Sequence, residues 1–344
     1  MNFTEFKLNA QILSGVKELG YETATPIQEK AIPSILAGLD VVGTAQTGTG
    51  KTAAFALPLL QRLMDGPRGQ LRGLILAPTR ELAEQIRQSI DRLAIRTGLR
   101  CTAIYGGANL VKQYQILRRG VDIVIACPGR LLDHINRGNI NLTQVEVLVL
   151  DEADHMFDLG FREPIYKIIR HLPKKRQNLL FSATMSKEIR VLADEILHKP
   201  VSIKIGEIAP ANTVTQTLYP VSEALKTDLL EVILQINAVK SALIFTRTKH
   251  RAKRLAEHLS HLGYSATSFQ GNLSQSKRQI ALGKFRDGKL KILVATDIAA
   301  RGIDIDHISH VINFDMPNTA EDYTHRIGRT GRAAKLGAAF SLIT

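Results

Sequence analysis

The sequence has 344 residues, of which 44% are hydrophobic and 22% are charged, a composition typical of a soluble globular protein. This length exceeds one ordinary hydrophobic core and suggests two domains of roughly 150 residues each. No apolar run approaches the roughly 20 residues that a membrane span requires.

The formal net charge of +13 is shared by both halves of the chain. Residues 1–206 contain 27 Lys and Arg against 20 Asp and Glu, which gives +7, and residues 207–344 contain 18 against 12, which gives +6. A polyanion that lies across both domains explains this distribution better than one basic tail does, although excess charge also favours solubility.

The cysteine count and the first residues bear on the compartment. Cys101 and Cys127 lie in or beside apolar, strand-like runs, and two cysteines are too few for a disulfide framework or a zinc site. We therefore expect both to be buried in the core. Residues 1–10 lack the basic and apolar regions of a signal peptide, so a cytoplasmic protein is the default expectation.

The first half of the chain predicts helices followed by a parallel sheet. Helical periodicity covers residues 9–19 and 25–36, with Thr25 as the N-cap of the second helix and Pro26 at its first position. Strand-like and helix-like segments alternate after Asp40. The predicted strands are residues 41–45, 73–77, 101–105, 121–126, 145–150 and 178–182. This alternation is typical of a parallel sheet covered by helices on both faces.

The second half repeats this pattern after a short linker. A strand at 201–205 precedes G-E-I-A-P-A-N, which is rich in turn formers. Further strands are predicted at residues 215–220, 242–246, 265–269, 291–295 and 310–314, separated by helical segments such as 252–262 and 274–285. We therefore predict an α/β fold with a first domain at 1–206, a linker at 207–212 and a second domain at 213–344.

Residues 45–52, A-Q-T-G-T-G-K-T, lie where a predicted strand gives way to a helix. Glycines at such a junction let backbone N–H groups surround phosphate oxygens, and the helix N-terminus adds its dipole. Lys51 is placed to reach the β and γ phosphates, and Thr52 to offer its hydroxyl to Mg²⁺. Ala45 replaces the first glycine of the general phosphate-loop pattern. The alternative, a glycine-rich turn, does not explain the Lys-Thr pair at the helix start.

Residues 145–154, V-E-V-L-V-L-D-E-A-D, form an apolar run that ends on carboxylates. Such a run indicates a buried parallel strand, and ligands of open α/β sheets bind at the carboxyl ends of strands. Asp151 is placed to hold Mg²⁺ through water, and Glu152 to orient an attacking water. Taken alone, the acids could be an ordinary turn. The upstream phosphate loop favours a nucleoside triphosphatase.

A phosphate loop followed about a hundred residues later by D-E-A-D resembles the DEAD-box family of ATP-dependent RNA helicases, and the bacterial members most of all. The resemblance covers nearly the whole chain. Residues 20–28, G-Y-E-T-A-T-P-I-Q, resemble the family's adenine-reading Q motif, with Phe3 at the position of its upstream aromatic residue. Other matching segments, in the family's order, are residues 78–83, 106–107, 128–130, 182–184, 243–248, 275–278, 295–305 and 325–332.

The resemblance implies two tandem RecA-like domains that bind ATP and Mg²⁺, and RNA through its sugar-phosphate backbone with little sequence preference. The ATP-binding residues would be Phe3, Tyr21, Gln28, Ala45, Gln46, Thr47, Gly48, Thr49, Gly50, Lys51, Thr52 and Asp304. The RNA-binding residues would be Pro78, Thr79, Arg80, Gly107, Pro128, Gly129, Arg130, Arg278, Thr296 and Gly302. Asp154, Ser182, Thr184 and His325 would couple the domains.

Catalysis is assigned to Glu152, Lys51, Arg329 and Arg332. The two arginines belong to H-R-I-G-R-T-G-R in the second domain, and a guanidinium brought across a cleft can stabilise charge on the departing phosphoryl group. The alternative for this segment is a basic helix face that binds RNA. Gln28 would read adenine, because its carboxamide has both a donor and an acceptor, and Asp304 would contact the ribose.

Three departures from the family pattern limit these assignments. Cys127 stands where the family usually has Thr, and Gln270-Gly271-Asn272 replaces His-Gly-Asp, so those three residues receive no role. The sequence stops at Thr344, where family members usually continue through a final helix, so we expect a trimmed chain. An ATP-gated RNA clamp with little unwinding is the main alternative function, and a DNA helicase is a more distant one.

Overall fold

The computed structural model describes residues 1–45, 48–205, 214–236, 239–273, 275–300, 308–331 and 336–344, apart from the side chains at positions 275, 276, 298 and 321. The chain divides into two compact units, Met1–Glu207 and Ile208–Thr344. The predicted linker, residues 207–212, lies outside the described residues. Across the described part of the chain, no helix is both long and apolar enough to cross a bilayer.

The first unit is built from seven strands, nine α-helices and a short 3-10 helix (Phe3–Phe6) among its described residues. Its strands are β1 (Val41–Thr44), β2 (Gly73–Leu76), β3 (Cys101–Ile104), β4 (Ile123–Ala126), β5 (Val147–Leu150), β6 (Gln177–Ser182) and β7 (Val201–Lys204). Its helices are α1 (Ala10–Glu18), α2 (Pro26–Leu36), α3 (Lys51–Met64), α4 (Arg80–Leu93), α5 (Leu110–Arg118), α6 (Pro128–Asn136), α7 (Ala153–Asp158), α8 (Arg162–Arg170) and α9 (Lys187–Ile196). The strands pair in the order β3-β4-β2-β5-β6-β1-β7, and all these pairings are parallel.

Alternating strand residues build the core of the first unit. Val147 and Val149 point into one hydrophobic cluster, which also holds α2 and α3, whereas Leu148 and Leu150 point into a second cluster with α7 and α8. Helices therefore cover both faces of the sheet, as the alternation predicted. Because the strands are parallel, their carboxyl ends form one edge, which places the segments that follow β1, β5 and β6 close together.

The second unit has the same layered architecture. Its strands are β8 (Val214–Pro220), β9 (Ala242–Phe245), β10 (Ala266–Phe269), β11 (Ile292–Ala295), β12 (His310–Asn313) and β13 (Gly337–Ile343). Its described helices are α10 (Lys226–Ile236), α11 (Lys249–His261), α12 (Gln275–Arg286), α13 (Asp297–Ala300) and α14 (Ala320–Ile327). The strands form a parallel sheet in the order β10-β11-β9-β12-β13-β8, with a hydrophobic cluster on each face.

Several predicted boundaries and one burial prediction need adjustment: the strand predicted at 145–150 begins at Val147, and the helix predicted at 252–262 begins at Lys249. The strand predicted at 121–126 begins at Ile123, and the Asp122 side chain just before it accepts hydrogen bonds from the backbone N–H groups of Gly69 and Arg100, in the segments that precede β2 and β3. The expectation that both cysteines are buried was wrong for Cys101, which is only partly buried. It lies on β3 at the edge of the sheet, and its thiol donates to Asp91 Oδ1 at 2.9 Å.

Candidate active site

The phosphate loop connects β1 to α3. Gly50 caps α3 with φ +91°, and a Cβ atom built there would lie 2.5 Å from Gln28 Nε2, so only glycine fits this position. Lys51 is 6% exposed and donates from Nζ to the Ala45 carbonyl oxygen at 2.8 Å. The ammonium group is therefore held inside the loop. Thr52 follows in the first turn of α3, and Gly48 and Thr49 precede the helix. Gln46 and Thr47, also predicted to bind ATP, lie outside the described residues.

The start of α2 is hydrogen bonded to the phosphate loop. Thr25 Oγ1 donates to the Thr49 carbonyl at 2.8 Å, and Gln28 Nε2 donates to the Gly50 carbonyl at 3.1 Å. Gln28 Oε1 accepts from the Thr25 backbone N–H at 2.9 Å, and Gln28 is 4% exposed. The carboxamide thus joins the Q motif to the loop, an interaction that sequence reasoning missed. Adenine recognition by Gln28 stays a prediction that uses its remaining donor and acceptor capacity.

The two aromatic residues predicted to bind ATP lie against each other. The rings of Phe3 and Tyr21 are stacked with centroids 6.1 Å apart. Phe3 is 2% exposed and also packs edge-on against Phe6, whereas Tyr21 is 40% exposed. The structure therefore places Phe3 in the core under Tyr21, and Tyr21 carries the accessible ring face of the pair.

The carboxylates at the end of β5 lie in a buried environment. Asp151 is 2% exposed, and its Oδ1 atom accepts from the Glu152 backbone N–H at 3.1 Å. Burial raises the pKa of Asp151 to about 7, against the opposing effect of the nearby Lys51 ammonium. Glu152 has φ +51°, a left-handed conformation that costs energy for a residue with a side chain and that often marks a functional site. This strained turn leads directly into α7.

His155 is a neighbour of Glu152 that sequence reasoning missed. Its Nδ1 atom lies 3.2 Å from Glu152 Oε2, and both residues are buried. The His155 Nε2 atom is buried without a hydrogen-bond partner among the described residues. The sequence did offer a signal for this contact. Glu152 and His155 are three residues apart, and on a helical turn this spacing puts both side chains on one side.

Asp154 joins the acidic segment to the end of β6. Its Oδ2 atom accepts from the backbone N–H groups of Ala183 at 3.1 Å and Thr184 at 2.8 Å, and from the Thr184 hydroxyl at 3.0 Å. Ser182 Oγ accepts from the Asp154 backbone N–H at 3.2 Å. Three residues predicted to act in coupling, Asp154, Ser182 and Thr184, are thus assembled into one network.

Comparison with known proteins identifies the family. Residues 25–192 match the DEAD/DEAH box helicase family, and residues 225–334 match the helicase conserved C-terminal domain. The chain is 45% identical to the ATP-dependent RNA helicase CshA of Listeria monocytogenes, covering 99% of this chain and 66% of that protein. It is 44% identical to the DEAD-box ATP-dependent RNA helicase CshA of Geobacillus kaustophilus, covering 99% of this chain and 73% of that protein. The chain belongs to the DEAD-box helicase family.

Solved structures confirm the predicted fold of two RecA-like units. Dbp5 of S. cerevisiae bound to RNA and ADP BeF3 is 31% identical, with a TM-score of 0.88 over 99% of this chain and 89% of that one. A DEAD box protein from Methanococcus jannaschii is 40% identical, with a TM-score of 0.59 over 100% of this chain and 93% of that one. The chain spans about two thirds of the length of the Listeria relative.

In this DEAD-box helicase, the predicted RNA-binding residues of the first unit surround Gly107. The Thr79 hydroxyl accepts from the Leu82 N–H at 3.2 Å and caps α4. Gly107 has φ +75°, and a Cβ atom there would lie 2.2 Å from Arg80 Nη1, so the Arg80 guanidinium covers the glycine backbone. Arg130 Nη1 donates to the Ala108 carbonyl at 3.1 Å. Two guanidinium groups therefore flank one glycine-rich turn, next to Pro128 and Gly129 at the start of α6.

The second unit holds the remaining helicase motifs. The Arg278 guanidinium stacks over Phe269 at 4.6 Å, and Thr296 immediately precedes α13. His325 and Arg329 line one pocket together with Phe245 and Asp297. Arg329 is 6% exposed. Gly302, Asp304 and Arg332 lie outside the described residues, so their predicted roles stay predictions.

Arg326 is a residue of the motif at 325–332 that sequence reasoning did not single out. It is 3% exposed and donates from Nε and Nη2 to both oxygens of Asp297, at 2.5 and 2.7 Å. Its Nη1 atom also donates to Asn313 Oδ1 at 3.1 Å, and its guanidinium lies 4.9 Å over the ring of Phe245. Arg326 therefore fixes α14, which carries His325, against α13 and β12.

Proposed function

We propose that this chain is an RNA-stimulated ATPase that couples ATP hydrolysis to local strand separation or remodelling of RNA–protein complexes. The main observation behind the proposal is that a phosphate loop and the buried carboxylate of Asp151 belong to one edge of the first sheet. The positive charge of Lys51 does not fully offset the burial of this carboxylate. The named relatives are ATP-dependent RNA helicases, and Dbp5 was solved with RNA and ADP BeF3. ATP and cellular RNA occur together in the cytoplasm, which is the location we propose.

The donor set of this edge fits Mg²⁺ bound together with ATP. Asp151 is a buried carboxylate that needs a cation, and Thr52 supplies a hydroxyl in the first turn of α3. Among the described residues, no cluster of three or more His, Cys, Asp or Glu side chains could hold a metal by itself. Mg²⁺ suits such a site because it retains several waters and takes phosphate oxygens as ligands. When bound, the ion neutralises charge on the β and γ phosphates.

Glu152 is the residue we propose to orient the attacking water and to accept its proton. Its Oε2 atom lies 3.2 Å from His155 Nδ1, and its charge acts on the neighbouring Asp151. The strained turn at Glu152 keeps this carboxylate buried at the strand end. Lys51 would hold the phosphoryl oxygens, because its ammonium group lies inside the loop at the start of α3.

RNA would bind through its sugar-phosphate backbone, with Thr79, Arg80, Gly107 and Arg130 as contacts in the first unit. Two guanidinium groups beside an exposed glycine turn provide charge and close backbone approach, which suits phosphate oxygens. Backbone contacts carry little sequence information, whereas contacts with 2′-hydroxyl groups distinguish RNA from DNA.

ATP hydrolysis should be measured alone, with single-stranded RNA, and with single-stranded DNA of the same sequence. We expect several-fold stimulation by RNA and little by DNA, together with displacement of a short RNA strand at a rate that depends on ATP hydrolysis. Raising the salt concentration should weaken RNA stimulation, because phosphate contacts release counterions. Equal stimulation by DNA would contradict the RNA assignment, and stimulation by RNA without strand displacement would support the RNA clamp instead.

A further inference from the structure

Gln113 is a buried amide behind the predicted RNA-binding turn of the first unit. It lies on α5 and is 7% exposed, whereas its neighbours Lys112 and Gln115 on the same helix are exposed. Buried amides are retained where their hydrogen bonds are satisfied, so its partners indicate what the residue does. The motifs that identify the family do not include Gln113.

The partners of Gln113 fix the orientation of its amide. Nε2 donates to the Tyr105 carbonyl oxygen at 3.0 Å, and this forces Oε1 to face the opposite side. There Oε1 accepts from Arg130 Nη1 at 3.2 Å and lies 3.3 Å from His134 Nε2. An amide oxygen has two lone pairs, so one Gln113 side chain serves both residues of α6.

Arg130 and Gln113 together hold both ends of the glycine loop, residues 105–108. Gln113 binds the carbonyl of Tyr105 at its start, and Arg130 Nη1 binds the carbonyl of Ala108 at its end. Arg130 Nε lies 3.3 Å from Asp133 Oδ2 in an ion pair without hydrogen-bond geometry. Among the described residues, Nη2 has no hydrogen-bond partner. Because Nε is buried and Nη1 is fixed by two hydrogen bonds, Nη2 is the guanidinium nitrogen left for a phosphate.

His134 completes the network and is neutral within it. The residue is 0% exposed, its Nε2 faces the Gln113 oxygen, and its Nδ1 faces Asn139 Nδ2 at 3.4 Å. Nε2 therefore carries the proton and donates to Gln113, and Nδ1 accepts from Asn139. Burial lowers the pKa of His134, and the adjacent Arg130 charge lowers it further. A neutral ring avoids a second positive charge beside Arg130.

We propose that Gln113 is a positioning residue for RNA binding: its amide sets the direction of the Arg130 guanidinium and ties it to the glycine loop that Arg80 covers. The proposal rests on the proposed function, because it presumes that Arg130 contacts RNA phosphate. Gln113 itself does not reach the RNA. It acts by removing the rotational freedom of Arg130 before binding, so that less conformational entropy is lost when the phosphate arrives.

The test replaces Gln113 with methionine, which keeps the length and removes the hydrogen bonds. The RNA concentration that gives half-maximal ATPase activity should rise about tenfold, the effect of losing a hydrogen bond to a charged group. The turnover number at saturating RNA and the ATP affinity without RNA should stay near wild type, because the phosphate loop is untouched. Gln115→Met is the matched control, since it makes the same change at an exposed site on the same helix. It should behave as wild type.

A double-mutant cycle with Arg130→Met separates positioning from a structural role. Arg130→Met alone should raise the half-maximal RNA concentration by at least about tenfold, and adding Gln113→Met should change it little further, because the two residues act as one unit. Additive effects, or a Gln113→Met variant equal to Gln115→Met, would overturn the positioning role. An unchanged value for Arg130→Met would instead overturn the RNA role of Arg130, and with it the basis of the proposal.

Gln113→Glu is the second variant, because it keeps the side-chain shape if the methionine variant folds poorly. Its carboxylate still accepts from Arg130 and His134 but cannot donate to the Tyr105 carbonyl. We expect an RNA dependence between those of wild type and Gln113→Met, because the contact with Arg130 remains while the hydrogen bond to the glycine loop is lost, with thermal unfolding used to confirm that each variant is folded. A glutamate variant as weak as the methionine variant would show that orientation of Arg130 by Gln113 is not the cause.

Discussion

The two units share a sheet topology but use it differently. If β7 is set aside, the order β3-β4-β2-β5-β6-β1 corresponds strand for strand to β10-β11-β9-β12-β13-β8. In this correspondence Asp151 lies one residue after the end of β5 and Asp315 two residues after the end of β12, and their backbone N–H groups make the same hydrogen bond. The Asp151 N–H donates to the Leu76 carbonyl at the end of β2, and the Asp315 N–H donates to the Phe245 carbonyl at the end of β9. Both carboxylates are buried at the carboxyl edge of a sheet.

Their surroundings differ in charge. Asp315 lies 3.0 Å from Arg251 Nη1 and 3.6 Å from Lys226 Nζ, and it accepts from the Arg247 backbone N–H at 2.8 Å. Asp151 has a backbone hydrogen bond and the charge of Lys51, and burial still raises the pKa of Asp151 to about 7. Arg251 and Lys226 neutralise the charge of Asp315. The positive charge of Lys51 does not fully offset the burial of Asp151, and this leaves room for a bound cation. The shared scaffold supplies the position, and the incomplete countercharge at Asp151 supports the proposed binding of a cation there.

The largest effect on turnover is expected at Glu152, the residue that follows the buried Asp151. Glu152→Gln keeps the shape but removes the group that orients and deprotonates water, so RNA-stimulated turnover should fall about a hundredfold to ten-thousandfold. ATP and RNA binding should persist, and ATP-dependent RNA complexes should accumulate. Glu163→Gln, the same change at an exposed position in the first turn of α8, is the control. Turnover near wild type in Glu152→Gln would remove Glu152 from the mechanism.

Asp315→Asn should destabilise the second unit by about 2–3 kcal/mol. The change removes one of the two anions beside Lys226, which is 3% exposed and keeps Glu223 Oε2 at 3.1 Å, and breaking a buried pair completely costs about 3–5 kcal/mol. The lower figure is expected because the Arg251 side chain is about one third exposed and water compensates part of its loss. Denaturant unfolding monitored in the second unit measures the change. An unchanged midpoint would show that Asp315 is not neutralised as the geometry indicates.

Asp151→Asn should instead stabilise the nucleotide-free protein, increasingly so as the pH rises. The folded state binds the Asp151 proton more tightly than the unfolded state, so the contribution of this group to stability is complete below about pH 4 and is lost as the pH rises through about 7. The asparagine variant does not undergo this loss. The difference in free energy of unfolding between Asp151→Asn and wild type should grow by about 2 kcal/mol between about pH 5.5 and pH 8. Equal unfolding midpoints at both pH values would contradict the raised pKa.

The smallest effect is expected at two equivalent helix caps. Thr79 Oγ1 accepts from Leu82 N–H and Thr248 Oγ1 accepts from Arg251 N–H, both at 3.2 Å, at the starts of α4 and α11. Thr79→Ala and Thr248→Ala should each lower stability by about 1 kcal/mol. Only Thr79→Ala is also expected to raise the RNA concentration required for stimulation in the first unit. A large difference between the two stability losses would argue against the equivalence of the caps.

The fold and the proposed ATP-binding edge were largely predictable because their signals are local. Apolar runs mark the buried strands to within about two residues, and the phosphate loop and the acids after β5 each occupy one short segment. The supporting contacts were not predictable in the same way. Gln113 meets Arg130 across 17 residues, and Arg326 meets Asp297 across 29, so their partners become neighbours only when the sheets form. No local sequence pattern predicts which residue will be the hydrogen-bond partner of a buried amide or arginine.

The most direct test of the charge comparison measures ATP turnover of Asp151→Asn and Asp315→Asn at saturating RNA and Mg²⁺, normalised to the folded fraction. The account predicts that stability and activity change in opposite directions. Asp151→Asn should be the more stable variant and should lose most of its turnover, whereas Asp315→Asn should be the less stable variant and should retain most of it. Turnover that survives in Asp151→Asn and is lost in Asp315→Asn would contradict the assignment of the ATP site to the first sheet.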